Sequence, residues 1–389
     1  MSRLRVAVLC DYLEEHWPSM ELVGSMIVEH LNRHLGETID ARAIVPPFRP
    51  RIGRSRFGRN ADRMLNRHVD YPRLARRLAR EGGFDLYHVV DHSYAHLVHA
   101  LPKGRAVVTC HDLDAFRCLL EPEREPRPFW FKTLARRTLQ GVREAAFVAA
   151  DSEATLRGLV DHAIIPESRF RVVLLGTHPE CSPEPNAEAD AEAARWLGPL
   201  DRQEAPELLH VGSNVPRKRV DVLLDVFARV RQVIPGARLV KGGGELQGEL
   251  AARADRLGIT PALVTLPPFS IVSSRDRAFL AAVYRRAALV LQPSEAEGFG
   301  LPVVEAMACG APVLASDIPV LREVAGDGAE YRPVGDVDAW VEGVLKVLSE
   351  SGETHQARQH AGLIRSGRYG WTAHVEALAA IYREVLGSN

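Results

Sequence analysis

The chain is short of the features that mark several protein classes. Among its 389 residues are five cysteines (Cys10, Cys110, Cys118, Cys181, Cys309), with no CxxC and no metal-ligand spacing. Neither a disulfide scaffold nor a structural zinc site is expected, and a reduced, cytosolic setting fits. Charge of one sign is missing too: 49 Lys and Arg stand against 50 Asp and Glu, a formal net charge of −1. That balance argues against nucleic acid as a dominant partner. No apolar run reaches the roughly 20 residues needed to cross a bilayer, and the start of the chain passes into a strand pattern without a signal peptide. The expectation is a cytoplasmic protein whose membrane role, if any, is peripheral, at the inner membrane face. No G-x-G-x-x-G follows the first strand (LCDYLEEHWPSM), and Gly242-Gly243-Gly244 misses that spacing because position 247 is Gln. This excludes a nicotinamide-dependent oxidoreductase. The absence of G-K-[ST] excludes a P-loop kinase, and no lysine is marked for a Schiff base. No cofactor and no metal ion are expected.

What is present is a repeated strand–helix alternation in a chain long enough for two domains. Apolar content of 46% and charged content of 25% are those of a globular protein. Short apolar runs at 5–10, 41–45, 85–89, 106–110, 146–150 and 171–175 alternate with amphipathic stretches at 20–35, 71–81, 129–144 and 152–162. These make residues 1–178 a Rossmann-like half. Residues 179–206, rich in Pro, Ala and acids, read as the linker region. The alternation restarts at 207–212 and continues through helix 219–234, strand 237–241, helix 245–257, strand 262–266, helix 275–287 and strand 288–292. A second Rossmann-like half thus spans 207–370, followed by a final helix within 371–389.

The densest chemistry lies in residues 291–324, which read as strand, loop, helix, strand. In open α/β sheets ligands sit outside the carboxyl ends of the strands, where this loop falls. Gly298 and Gly300 bracket Phe299, so backbone can approach a ligand without a Cβ in the way. Pro302 suits a first helical turn, whose free N–H groups, from Leu301 onward, attract anions such as a diphosphate. Glu297 and Glu305 are carboxylates suited to sugar hydroxyls, not to phosphate. Arg217-Lys218, after the strand ending at Gly212-Ser213, opens a helix against its dipole, which suits a diphosphate facing it.

Glu297-Gly-Phe-Gly-Leu-Pro-Val-Val-Glu305, followed by Ala-Met-Ala-Cys-Gly-Ala-Pro-Val and Ser316-Asp317, resembles the Glu-x7-Glu signature of retaining glycosyltransferases of GT-B fold, family 4 above all. The resemblance implies two Rossmann-like domains facing a central cleft, with the last helix crossing back to the N-terminal domain. It implies that Arg217 and Lys218 bind the donor diphosphate, that Glu297 holds the donor sugar and that Glu305 accepts from the ribose. It also implies that His111, in Thr109-Cys110-His111-Asp112, lies against the donor sugar. Asp112 is expected to cap that loop or to orient His111. Gly243 resembles the family's glycine loop near the nucleotide, and Phe269, after two prolines, lies where the backbone reads the base edge. Relatives often carry Arg where this chain has Ser213, and a glycine pair where it has Trp17-Pro18-Ser19-Met20. Trp17, Ser19 and His92, the last in Asp91-His92-Ser93-Tyr94, are the candidates for the acceptor side.

Segment 42–80 holds twelve arginines against Asp62 and Asp70. Much of it reads as a loop, and it is a candidate for contact with anionic lipid. The combined expectation is a retaining, metal-independent hexosyltransferase of cell-envelope polysaccharide biosynthesis. It would use a GDP- or UDP-sugar, with a lean to mannose, and a glycan, lipid-linked or small-molecule acceptor. The rivals are a GT-B nucleotide-sugar hydrolase or epimerase, and a non-catalytic sugar-nucleotide-binding subunit.

Overall fold

A computed structural model describes residues 3–53, 55–162, 164–267 and 273–387. The chain divides into two compact units: residues 1–176 with 371–389, and residues 177–370.

Unit 1 is built on strands β1 (Leu4–Leu9), β2 (Ile39–Ile44), β3 (Leu86–Val89), β4 (Ala106–Cys110), β5 (Phe147–Ala150) and β6 (Phe170–Val172). They pair in the order β2-β1-β3-β4-β5-β6, every pair parallel. Strands covered on both faces read as continuous apolar runs, and β3, β4 and β5 are buried along their whole length. Parallel strands need crossovers, and a single hand of crossover puts those running to opposite sides of β1 on opposite faces. Helix Pro18–Leu35, joining β1 to β2, therefore takes one face. Helices Tyr71–Glu81 and Phe129–Glu144 take the other, both packing on the turn of 3-10 helix His92–Ala100. Helix Trp371–Leu386 packs beside Pro18–Leu35 and completes the first face. It buries Trp371, Val375, Leu378, Ile381 and Tyr382 almost completely, at about 1.5–3 kcal/mol for each large apolar side chain. The Tyr382 hydroxyl lies 2.7 Å from His88 Nδ1, and His88 is a core residue of β3 whose other ring nitrogen meets Thr109.

Unit 2 carries β7 (Glu207–Val211), β8 (Arg238–Gly242), β9 (Leu263–Thr265), β10 (Leu289–Gln292), β11 (Val313–Ser316) and β12 (Glu330–Arg332), ordered β12-β11-β10-β7-β8-β9 and again all parallel. Several of its helices start where side chains satisfy free N–H groups: Asn186 accepts from Ala189, Ser273 from Asp276 and Asp336 from Ala339.

Two segments differ from expectation. Residues 177–206 are part of unit 2 and not a free linker, because helix Ala187–Leu197 packs on helix Ser274–Arg286, with Arg285 paired to Asp190 at 2.6 Å. The arginine-rich stretch is not a loop beyond residue 55: it is helical from Arg56 to Glu81 with a π-turn at Asn66–Asp70. Asp62, buried at its centre, accepts from the backbone N–H groups of Arg51 and Ile52 and so ties the preceding turn to the helix. Periodicity was obscured there because the apolar positions are few.

Candidate active site

In unit 2 the loops after β7 and β10 leave the carboxyl edge of the sheet side by side. Their backbones meet where Glu295 N–H donates to Arg217 O at 2.9 Å, and Arg217 Nη1 donates to Ala296 O at 3.1 Å. Lys218 Nζ lies 2.6 and 2.7 Å from the two carboxyl oxygens of Glu297, and Arg217 Nη1 lies 3.6 Å from the same carboxylate. The Glu297 side chain is 5% exposed, and Gln292, at the end of β10, donates to it as well. Burial alone would raise the Glu297 carboxyl. The charge and hydrogen bonds of Lys218, and the charge of Arg217, outweigh that and hold it below the usual carboxylate range. The result is an ionised carboxylate locked between two cations. It is an acceptor for hydroxyls, with cationic donors beside it for an anion.

The next residues set the helix. Gly300 has φ +101° as N-cap of helix Leu301–Ala308, a conformation that favours glycine, and a Cβ there would lie 2.8 Å from Leu321. Gly298 and Gly300 are buried, and Leu301 begins the helix half-buried. The Phe299 side chain packs edge-on against Tyr369 at 5.4 Å, so it belongs to the core and not to a ligand surface.

Glu305 sits one turn further in, and its carboxylate is already engaged. One oxygen accepts from Arg277 Nη2 at 2.6 Å and the other from the Tyr284 hydroxyl at 3.1 Å. All three side chains are buried, Arg277 completely. The expectation of Glu305 as a ligand for ribose meets a carboxylate that already holds two protein donors. Arg277 and Tyr284 were not foreseen, since a helical arginine normally faces solvent and nothing local marks this one.

After β8 the glycine loop is held by a residue that sequence reasoning also missed. Lys241 is buried with its ammonium among carbonyl oxygens, donating to Gly212 at 3.1 Å and Gly244 at 3.0 Å. Burial lowers it to about 8. It stitches the β7 and β8 loops together. Gly243 has φ +93°, and a Cβ would lie 2.4 Å from Gly212 O, so a side chain is excluded whatever binds nearby. Ser213 is exposed beside it. Phe269 lies outside the described residues.

In unit 1 the carboxyl edge collects a second ionisable group of residues. His111, just after β4, has Nδ1 2.8 Å from Asp151 Oδ2 and Nε2 2.8 Å from Val90 O. With both nitrogens facing acceptors, the ring carries both protons. Burial opposes that charge, but the hydrogen bond and charge of Asp151 raise His111 to about 9. Asp151, directly before the helix Glu153–Asp161 and its N-cap, is thus the orienting partner, while Ser152 does the capping by accepting from Thr155 N–H. Asp112 accepts from Asp114 N–H and caps its own loop. His92 is buried with Nδ1 accepting from His111 N–H at 3.3 Å, and it lies 3.4 Å from both Asp91 and Asp112. Trp17 is the N-cap residue of helix Pro18–Leu35 and is 47% exposed, with Ser19 half-buried in the first turn.

Two doubly wound parallel sheets, with a carboxylate and paired cations at the carboxyl edge of one, make up the α/β architecture of the GT-B class. Residues 27–180 match the family model described as Glycosyltransferase Family 4, and residues 199–362 match Glycosyl transferases group 1. The D-inositol 3-phosphate glycosyltransferase of Segniliparus rotundus is 33% identical over 211 residues, covering 52% of this chain and 44% of that protein. The Mycobacterium leprae protein of the same name is 32% identical over 281 residues, covering 64% and 63%. The chain therefore spans from 44% to 63% of the length of these relatives. Sucrose-phosphate synthase from Thermosynechococcus elongatus superposes with a TM-score of 0.74 at 18% identity, over 99% of this chain and 100% of that one. Anabaena HepE, solved with UDP and glucose, gives 0.72 at 18% identity over the whole of both chains. These two share the fold. The chain belongs to the GT-B glycosyltransferases, family 4-like.

Proposed function

We propose that the protein transfers a hexosyl unit, of mannose or glucose type, from a nucleotide diphosphate sugar to an acceptor hydroxyl with retention at the anomeric carbon. The observation that carries this reading is the Glu297 carboxylate clamped by Lys218 beside Arg217, at the entry of helix Leu301–Ala308. The difficult step is departure of a nucleoside diphosphate, and preorganised positive groups stabilise such developing charge. Arg217, the remaining donor capacity of Lys218 and the first N–H groups of the helix supply them without a metal or cofactor. Glu297 takes donor-sugar hydroxyls near the reacting carbon. Glu305 acts through the structure of the helix, held by Arg277 and Tyr284, with ribose contact left to any remaining lone pair. For unit 1 we propose the acceptor side, with His92, Trp17 and Ser19 as its candidates, and His111 as the residue that orients the donor sugar. A relative named for D-inositol 3-phosphate and a neighbour solved with UDP and glucose support a UDP-sugar as readily as a GDP-sugar, and a small polyol, glycan or lipid-linked acceptor.

The test combines binding and turnover. A thermal-shift screen against UDP, GDP and ADP should single out one base, since a ligand of the native state raises its stability. Glu297→Gln keeps the shape and removes the charge. It should leave nucleotide binding near wild type and lower turnover about 10²–10³-fold, the loss typical for one preorganised polar group. Wild-type turnover in that variant, measured as nucleoside diphosphate release with acceptor, refutes the assignment.

A further inference from the structure

The buried lysine of β8 does more than join two loops. Lys241 lies between His210 of β7 and Thr265 of β9 in the register of the sheet, and it is 3% exposed. Taking an ammonium out of water is costly, and so long a side chain could have reached solvent instead. Its Nζ makes no ion pair with a carboxylate among the described residues. It meets carbonyl oxygens alone: Gly212 O at 3.1 Å, Gly244 O at 3.0 Å and Gly242 O at 3.5 Å.

A trans peptide points its C=O and the N–H of the following residue in opposite directions. Drawing Gly212 O and Gly244 O to the ammonium therefore turns the N–H groups of Ser213 and Glu245 away from it. Both residues are exposed, and neither N–H donates to any described residue. Two further bonds fix the loops at this setting. Gly212 N–H donates to Gly242 O at 3.1 Å, and Asn214 Nδ2 donates to Glu245 O at 2.7 Å. Unpaired backbone N–H groups with a cation behind them make an anion-binding concavity. Gly244 has φ +101°, and a Cβ there would meet nothing within 4 Å, so the approach is open. Arg217 and Lys218 follow Ser213 in the same loop.

We propose that Lys241 is a positioning residue for donor binding. Through the carbonyls of Gly212 and Gly244 it sets the N–H groups of Ser213 and Glu245 to receive the diphosphate of the nucleotide sugar. The inference rests on the reading of the protein as a nucleotide-sugar transferase, and adds to it a residue that acts without touching the ligand.

The arrangement couples donor affinity to pH. Burial lowers Lys241 to about 8. An anion bound in front of it favours the charged form, so its pKa rises on binding. Affinity is then full below about 8 and falls as pH rises through that value. The other ionisable groups around these loops are His210, Arg217, Lys218, Glu245 and Glu297. His210 is lowered to about 4, and Glu297 is held below the usual carboxylate range, so neither changes charge in this window.

The experiment is titration calorimetry of the full chain with UDP and GDP, together with donor kinetics, on wild type and Lys241→Met. For the nucleotide that binds, the wild-type Kd should rise about three- to eightfold between about pH 7.5 and 9. Lys241→Met should weaken it about tenfold at the lower pH, flatten the pH dependence and raise the donor KM in step. A variant that had only lost folded protein would show a lower kcat with Kd and KM unchanged, and that result overturns the proposal. If Lys241→Met does not fold, the wild-type series decides alone, and a flat Kd overturns it. Binding of neither nucleotide by wild type overturns the transferase reading as well, whereas wild-type binding with an unaffected variant overturns this inference only.

Discussion

Replacing Arg277 by leucine isolates the ion pair beneath the signature helix. The guanidinium is fully buried, 2.6 Å from Glu305, in a carboxylate site that is itself 3% exposed. Removing the cation leaves the Glu305 charge with the Tyr284 hydroxyl as its hydrogen-bond donor. Breaking a buried pair from one side costs about 3–5 kcal/mol. Unit 2 spans residues 177–370, and a unit of that size loses about 2–4 °C per kcal/mol. Its unfolding temperature should therefore fall by about 6–20 °C. The pair itself is not ideal, because Arg277 Nε and Nη1 have no hydrogen-bond partner among the described residues. Adding Glu305→Gln to Arg277→Leu removes the stranded charge and keeps an acceptor for Tyr284. The double variant should thus recover to within about 2 kcal/mol of wild type. Urea unfolding followed by tryptophan fluorescence measures this, with the buried Trp340 reporting on unit 2 and the transition of unit 1 as internal control. A loss below about 1 kcal/mol in the single variant, or no recovery in the double, would refute the reasoning.

Two further outcomes follow from single groups. His111, raised to about 9 by Asp151, favours the folded state below its unfolded value near 6.5 and loses that contribution as pH rises through about 9. The gain is at most about 3 kcal/mol, and the burial that raises Asp151 offsets part of it. Thermal unfolding of unit 1 should show this loss between about pH 6.5 and 9, and His111→Gln should flatten it. A slope of the same size in the variant would exclude His111 as its source. Gly243→Ala forces a side chain at φ +93° and 2.4 Å from Gly212 O, which should destabilise unit 2 by about 1–3 kcal/mol. It should weaken nucleotide binding too if the loop shapes that site, as titration calorimetry would read.

The fold was legible because both sheets are parallel and largely buried, so most strands announce themselves as apolar runs between helical periods; β12 (Glu330–Arg332), a half-buried edge strand without an apolar run, did not. Helices Tyr71–Glu81, Phe129–Glu144 and Trp371–Leu386 begin and end where the sequence pattern puts them. The loop from Glu297 to Gly300 was legible because glycines beside a carboxylate have few other uses. Partners separated by long stretches of chain were not. Nothing near Glu305 points to Arg277, and nothing near His111 points to Asp151, forty positions away. Lys241 sits directly before the triple glycine, a signal that was available: a cation inside an apolar strand must be balanced by something, here backbone carbonyls. Phe299 shows the reverse case, where a residue inside a motif faces the core.

The bond between His88 and Tyr382 joins positions 294 residues apart, and that distance sets a timetable for biosynthesis. Domains usually fold as units in the order in which they are made. Here the segment made first cannot finish first, since helix Trp371–Leu386 covers one face of its sheet and emerges after all of unit 2. Until then the nascent sheet presents an uncovered apolar face, while residues 177–370, contiguous in the chain, have everything they need to fold. The period of greatest exposure to aggregation therefore belongs to unit 1, and its length is the time taken to synthesise unit 2.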